Sequence, residues 1–349
     1  MVKKEKEEKE EKVTDPKNEI LEATIAAMDK EYGKGSILWM SDSKFEKDID
    51  VIETGSMMLN RALGIGGFPK GRIIELFGNP SSGKSTMALM TVANAQKNGD
   101  IALYVDSEHC LDKIWAKKLG VNLDKMLVSQ PSHGEEALDI VENFVRSGTV
   151  GIIVVDSVSA LIPRAELEGE FSDSQIGLQA RLMSKAMRKL AAPVSESNTC
   201  LIFINQIRQN ISTFGYGNPE VTSGGNALKF YASIRVELKQ VKTLKEGQSN
   251  IGSLIRATVK KNKLAPPFGV CEIPLIGGIG FSQKDELIDE LIRLNKVIKS
   301  GAWYSTVGGT KIGQGRESIK NYFDKNPQYY QDSLNFVKLS ELDQAQNEE

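Results

Sequence analysis

The chain has 349 residues, 40% of them hydrophobic and 26% charged, with a formal net charge of −2. This composition predicts a packed core and excludes whole-chain disorder; the length suits one large core with appendages, or two or three domains. No apolar run approaches the roughly 20 residues of a membrane helix. The charged start (Lys3, Lys4, Glu5, Lys6) has no apolar stretch behind it, so neither a membrane partner nor a secretory signal is expected. Three scattered cysteines (Cys110, Cys200, Cys271) and two histidines argue against a disulfide framework and a zinc site. A cytoplasmic protein is expected.

The small net charge hides a polarised chain. Residues 178–263 carry fourteen Lys/Arg against four Asp/Glu, and residues 331–349 carry five acids and one lysine. A polyanion site with a competing tail and an ordinary solvated surface explain this equally well.

In chain order, residues 1–18 form a Lys/Glu run that reads as a disordered arm. Residues 20–31 have helical spacing (Ile20, Leu21, Ala23, Thr24, Ala27, Met28) and are stopped by Gly33 and Gly35. A helix this short needs its own core or a neighbouring subunit to pack against. From about residue 50, aliphatic runs alternate with amphipathic stretches. Strands are predicted at 72–77, 101–106, 126–129, 151–156 and 200–205. Helices are predicted at 84–96, 111–119, 135–146 and 178–190. That alternation predicts an α/β fold with a mostly parallel sheet covered on both faces. Runs at 233–239, 254–261 and 270–275 follow as antiparallel strands extending the sheet. A helix at 286–294 and a Gly/aromatic segment at 301–315 suggest a small separate α+β domain.

The strongest motif is Gly78-Asn79-Pro80-Ser81-Ser82-Gly83-Lys84-Ser85-Thr86. It matches the phosphate-loop pattern, with a strand before it and a helix after it. Glycines let backbone N–H groups wrap phosphates at a helix N-terminus. Lys84 would reach the β and γ phosphates and the Ser85 hydroxyl would ligate Mg²⁺. Asp156 ends a buried-type strand, where it either joins the Mg²⁺ shell or caps the next turn. Glu108 follows the strand after the phosphate-loop helix, and reads either as a base for the attacking water or as a helix-start acid. Asn205 and Gln206 close a third apolar strand, where an amide could sense the γ phosphate. The irregular stretch 207–221 follows it. On the helix at 178–190, Arg181, Ser184 and Arg188 share one face opposite an apolar stripe. That suits a phosphate backbone or a plain surface helix. Lys260, Lys261 and Lys263, with no acid beside them in sequence, suit polyanion contact, a cation lent to a neighbour's nucleotide, or a solvated strand end.

Together these residues, with Asp106-Ser107-Glu108-His109, Asn205-Gln206-Ile207-Arg208, Gly224-Gly225-Asn226-Ala227-Leu228-Lys229-Phe230 and Gly301-Ala302-Trp303-Tyr304, resemble the bacterial RecA family of homologous-recombination ATPases. The resemblance spans about residues 19–330. It implies an N-terminal polymerisation helix and linker (19–50), an ATPase core (51–282), a small C-terminal domain (283–335) and an acidic tail (336–349). It implies ATP and Mg²⁺ as cofactors, and helical self-filaments on single-stranded DNA. It further implies homologous pairing with double-stranded DNA, and activation of a LexA-type repressor's self-cleavage. Glu108 would activate water, Ser85 and Asp156 would handle Mg²⁺, and Gln206 would couple ATP to DNA. Lys261 and Lys263 would reach the neighbour's γ phosphate, and Asp112 and Trp115 would meet the adenine. DNA loops are implied at about 168–177 and 207–221. Arg181, Ser184, Arg188, Arg208, Gly224, Gly225 and Asn226 would contact the DNA backbone, and Ile176 and Ile211 would wedge between bases. The chain departs from the family at Trp115, where tyrosine is usual, and at Gly277, where an aromatic is common. It also carries one extra residue near 212–216. Two further readings are a filament serving mainly as a signalling scaffold, and a phosphate-loop ATPase without DNA.

Overall fold

The computed structural model describes residues 16–41, 49–170, 177–209 and 220–347. The chain divides into two compact units, residues 1–48 and 49–349.

In the first unit α1 spans Pro16–Tyr32. Proline suits a helix start because the first N–H groups have no partner within the helix. At the other end Asp29 Oδ1 accepts from the Gly35 and Ser36 amides at 3.0 and 3.2 Å, and Gly33 and Gly35 take φ of +102° and +85°. Ile20 and Tyr32 stay exposed. Of the expected charged arm, residues 1–15 lie outside the described residues.

The second unit opens with β1 (Val51–Ile52), α2 (Met57–Ala62) and β2 (Phe68–Pro69). Next come β3 (Ile73–Gly78), α3 (Lys84–Lys97), β4 (Ala102–Asp106), α4 (Lys113–Lys118), β5 (Met126–Ser129) and α5 (Gly134–Ser147). They are followed by β6 (Ile152–Asp156), α6 (Arg164–Glu168), α7 (Leu178–Ser197), β7 (Cys200–Gln209), β8 (Glu220–Thr222) and α8 (Ala227–Tyr231). Four strands then run on: β9 (Ile234–Glu246), β10 (Ser249–Asn262), β11 (Val270–Ile276) and β12 (Gly280–Phe281). Nine strands lie in the order β12-β11-β10-β9-β3-β7-β6-β4-β5, with β8 paired to β7. Strands β9, β3, β7, β6, β4 and β5 are mutually parallel, and β10 to β12 are antiparallel.

Helices cover both faces, which is why the central strands read as unbroken apolar runs. Along β6, Ile152 and Val154 enter one core with Met87 and Val92 of α3. Ile153 and Val155 enter the other, with Val141 of α5 and Met183 and Met187 of α7.

Three elements differ from expectation. Helix α7 continues past residue 190 to Ser197, through Pro193. Proline inside a helix costs about 3 kcal/mol. Here Leu190, Pro193 and Val194 are all buried, and that burial carries the helix on. Strands β9 and β10 run to thirteen and fourteen residues, well beyond their apolar segments. Their polar ends pair with each other as a two-stranded ribbon. Strand β9 also enters parallel to β3, because the short helix α8 precedes it.

The C-terminal part comprises α9 (Gln283–Arg293), β13 (Val297–Ser300), β14 (Trp303–Thr306), β15 (Lys311–Gln314), α10 (Arg316–Lys325) and α11 (Pro327–Asn347). It has its own core around Leu287, Leu291, Tyr304, Ile319, Phe323 and Val337. Helix α11 continues across residues 335 and 336, where the sequence suggested that a tail begins. Among the described residues, no helix is long and apolar enough to cross a membrane.

Helix α9 meets the core through carboxylates. Glu286, fully buried, accepts from Ser56 Oγ at 2.9 Å and from the Met58 amide at 3.0 Å. Ser56 in turn caps α2 by accepting from the Leu59 amide. One turn along, Glu290 pairs with Arg61 and Arg293. Glu286 accepts from neutral donors, and burial, with the nearby Glu290 charge adding to it, pushes its carboxyl up to about 7. The native chain therefore holds that proton more tightly than the unfolded chain does. The carboxyl's contribution to stability is fullest below its ordinary value of 4.5 and is lost as the pH rises through about 7. Glu286→Gln should accordingly stabilise the protein by about 1–3 kcal/mol at pH 8 and be nearly neutral at pH 5. Thermal unfolding at the two pH values checks this, and an equal shift at both would refute it.

Candidate nucleotide site

Strand β3 runs into Gly78, and α3 begins at Lys84. The turn between them needs backbone that side chains would block. A Cβ on Gly78 would lie 2.1 Å from the Leu238 carbonyl oxygen in β9. Gly83 holds φ +86° as the residue capping α3, and a Cβ there would lie 2.9 Å from the Phe281 ring. Ser81 also takes a positive φ, +61°. The first amides of α3 have no partner within the helix and face the same turn, which makes a cradle for anions. Ser82 Oγ is buried there with no hydrogen-bond partner among the described residues. Asn79 and Pro80 complete the loop, and Thr86 lies in the first turn of α3.

Lys84 is 7% exposed, and its ammonium donates to the carbonyls of Gly78 and Asn79 at 3.1 and 2.8 Å. Burial lowers its pKa, opposed by the nearby charges of Asp156 and Glu108. Ser85 Oγ donates to Asp156 Oδ2 at 2.7 Å, and the Tyr104 hydroxyl donates to the same oxygen at 2.6 Å. Burial raises the Asp156 carboxyl, while the Tyr104 and Ser85 hydrogen bonds pull it down. Tyr104, which sequence reasoning missed, sits in the middle of the apolar β4. A phenol in a fully buried strand position is the signal that a polar partner lies nearby.

Glu108 follows the end of β4. Its Oε1 accepts from Gln206 Nε2 at 2.8 Å, and Ser157 Oγ donates to the same oxygen. Asp106 steadies this turn by accepting from the Cys110 and Leu111 amides and from Gln130. Residues 78–86, Glu108, Asp156 and Gln206 therefore share one crevice at the carboxyl ends of β3, β4, β6 and β7, where open parallel sheets bind ligands.

Asp112 caps α4, accepting from the Ile114 and Trp115 amides at 2.7 and 3.1 Å, and Trp115 packs half-buried on the first core. Lys261 donates to the Lys229 and Phe230 carbonyls at 2.8 Å, and Lys263 to Phe230 at 3.4 Å, all at the end of α8. Lys260, which has no acid beside it in sequence, finds one on the neighbouring strand β9: it pairs with Glu237 at 2.8 Å. Arg181, Arg188 and Arg208 are exposed and Ser184 is half-buried. Gly224 and Gly225, at φ +80° and +76°, press on Met183 and Ala180 of α7, and Asn226 is exposed beside them. Ile176 and Ile211 lie outside the described residues, as do 171–176 and 210–219 of the two expected loops.

The comparisons with known proteins agree with this geometry. The family model for the RecA N-terminal domain matches residues 19–282, and that for the RecA C-terminal domain matches residues 285–335. The chain is 52% identical over 322 residues to Protein RecA of Nitratiruptor sp., covering 92% of this chain and 93% of that protein. It is 51% identical over 327 residues to Protein RecA of Leptospira meyeri, covering 93% and 84%. Against Protein RecA of Staphylococcus epidermidis the figures are 51% over 308 residues, 88% and 87%. With both family domains matched in order and half of the residues shared with these relatives, the chain belongs to the RecA family, the DNA-dependent ATPases of homologous recombination and repair.

Proposed function

We propose that this chain hydrolyses ATP with Mg²⁺ in the crevice of residues 78–86, and that single-stranded DNA switches that hydrolysis on. The observation that carries the reading is the hydrogen bond from Gln206 to Glu108. It joins the candidate water-activating group to the strand that leads into the second loop.

The residues present fit the cofactors. The cradle is glycine-lined, and Ser82 Oγ is a buried hydroxyl with no partner among the described residues. Ser85 and Asp156 offer the hard oxygen ligands that Mg²⁺ takes together with phosphate oxygens. The cation, when bound, neutralises charge on the phosphates. Lys84 exchanges its two carbonyl partners for phosphate oxygens. Tyr104 fixes the Asp156 carboxylate, and Glu108, held by Ser157 and Gln206, orients and deprotonates water. Asp112 and Trp115 flank the adenine; an indole stacks as readily as a phenol.

The exposed stripe of Arg181, Ser184 and Arg188, with Arg208, Gly224, Gly225 and Asn226, contacts the DNA backbone without reading sequence. Ile176 and Ile211 separate base steps. Copies of the chain assemble into a filament through residues 19–50, and Lys261 and Lys263 serve the neighbour's nucleotide. The edge strand β5, with Leu127 and Val128 exposed, offers apolar surface for such a contact. Pairing with homologous double-stranded DNA, activation of a LexA-type repressor and a cytoplasmic setting complete the proposal.

ATP turnover measured with and without single-stranded DNA at two salt concentrations tests the reading. Stimulation should be strong and should fall steeply with salt, as phosphate contacts do. An unstimulated rate would sink the coupling. Glu108→Gln should keep ATP-dependent DNA binding and lose turnover by roughly 100-fold; near-normal turnover would remove Glu108 from the chemistry. Gly78→Ala should weaken nucleotide binding by about tenfold or more, because its methyl group meets the Leu238 carbonyl. Equilibrium titration with a fluorescent ATP analogue reads that change.

A further inference from the structure

Glu75 lies in the middle of β3 with its side chain fully buried. Its Oε2 pairs with Arg235 of β9, whose guanidinium also lies over the Phe77 ring at 4.5 Å. Its Oε1 accepts from Asn205 Nδ2 at 2.9 Å. Asn205 is also fully buried, and that same nitrogen donates to the Ser223 carbonyl at 3.1 Å. The amide oxygen of Asn205 accepts from the Gln206 backbone N–H at 2.9 Å.

Each contact follows from the one before it. A carboxylate only accepts, whereas an amide side chain can present either nitrogen or oxygen. Facing Glu75, Asn205 must turn its NH₂ inward, because the reverse would set oxygen against oxygen. The amide oxygen is then committed to Gln206. The second N–H is committed to Ser223, which lies just after β8. Strands β7 and β8 pair as Ile207↔Thr222, Arg208↔Val221 and Gln209↔Glu220, so Asn205 ties the two strands together at the foot of the hairpin. Gln206, one residue on, reaches Glu108. A buried asparagine serving only to satisfy the backbone would need no carboxylate to orient it.

We infer that Asn205, locked in one amide orientation by Glu75, is a positioning residue that transmits the seating of the β7–β8 pair to Gln206 and so to Glu108. This rests on the proposed role of Gln206 in coupling DNA to hydrolysis. Among the described residues, the hydrogen bonds of Glu75 and Asn205 meet the crevice at Gln206, so their loss reaches turnover through it.

The test uses the full chain, oligo-dT as the DNA and a fluorescent ATP analogue for affinity. Asn205→Asp and Glu75→Gln should each cut the ratio of DNA-stimulated to basal hydrolysis by about tenfold, the size of one buried coupling. ATP affinity and basal rate should stay within about threefold. The double variant Glu75→Gln/Asn205→Asp re-forms a donor–acceptor pair between the two side chains but sets a carboxylate oxygen against the Ser223 carbonyl in place of the N–H donor, so its ratio should stay as low as that of the single variants. The near-isosteric Glu75→Gln guards against a folding failure at position 205. Three results would overturn the inference: an unchanged ratio in both single variants, a loss of affinity and basal rate in step with the ratio, or a double variant that regains the full ratio. Gln206→Ala separates the two levels of the argument. If it keeps full stimulation, the coupling role of Gln206 fails and the inference falls with it. If it loses stimulation while Asn205→Asp and Glu75→Gln keep theirs, only the inference fails.

Discussion

Parallel strands that end side by side aim the next turns, and the first amides of the next helices, into one crevice. Strands β3, β7, β6 and β4 do this here, and the polar chemistry of the chain gathers at their ends. The constraint is desolvation. Lys84 and Asp156 are both buried, and each is tolerated because partners replace water: two carbonyls for Lys84, two hydroxyls for Asp156. The bare glycines of the phosphate loop let the backbone come close enough to serve in this way. A side chain at Gly78 would push the turn off β9, and the crevice would open to water.

Much of this was legible in the sequence, because its causes are local. The phosphate loop shows itself by spacing, and the strands around it by unbroken apolar runs that only a doubly covered sheet requires. Asp156 and Glu108 were readable from their places just after such runs. What escaped depends on contacts between distant residues. Tyr104 looks like any aromatic in a strand until the fold brings Asp156 opposite it. Glu75 looks like a charge in the wrong place until Arg235 and Asn205 close around it. The helical spacing of α7 is plain only to Leu190, and the burial of Pro193 and Val194 carries the helix on to Ser197. The polar end of β9, residues 240–246, has no apolar pattern because its ladder partner is β10 alone, beyond the stretch that pairs with β3. The pairing of Lys260 with Glu237 is invisible along the chain and immediate across the strands.

The same crevice shows how one site can answer to distant events. Gln206 and Glu108 come from different strands, and each is fixed by a separate set of hydrogen bonds. Moving either strand end by a fraction of an ångström changes the contact between them. In the proposed reading, holding the nucleotide falls to the loop and α3, and timing its hydrolysis to β4 and β7. Binding can then be strong without turnover being fast.

Ser56 and Glu286 stand 230 positions apart and share one hydrogen bond. Through it, the N-terminal cap of a core helix is completed by a residue from the last quarter of the chain. During synthesis, α2 emerges long before its partner exists, so its final form waits until α9 has left the ribosome. A gene fragment that stops before α9 encodes a core with a missing keystone, not merely a shorter protein.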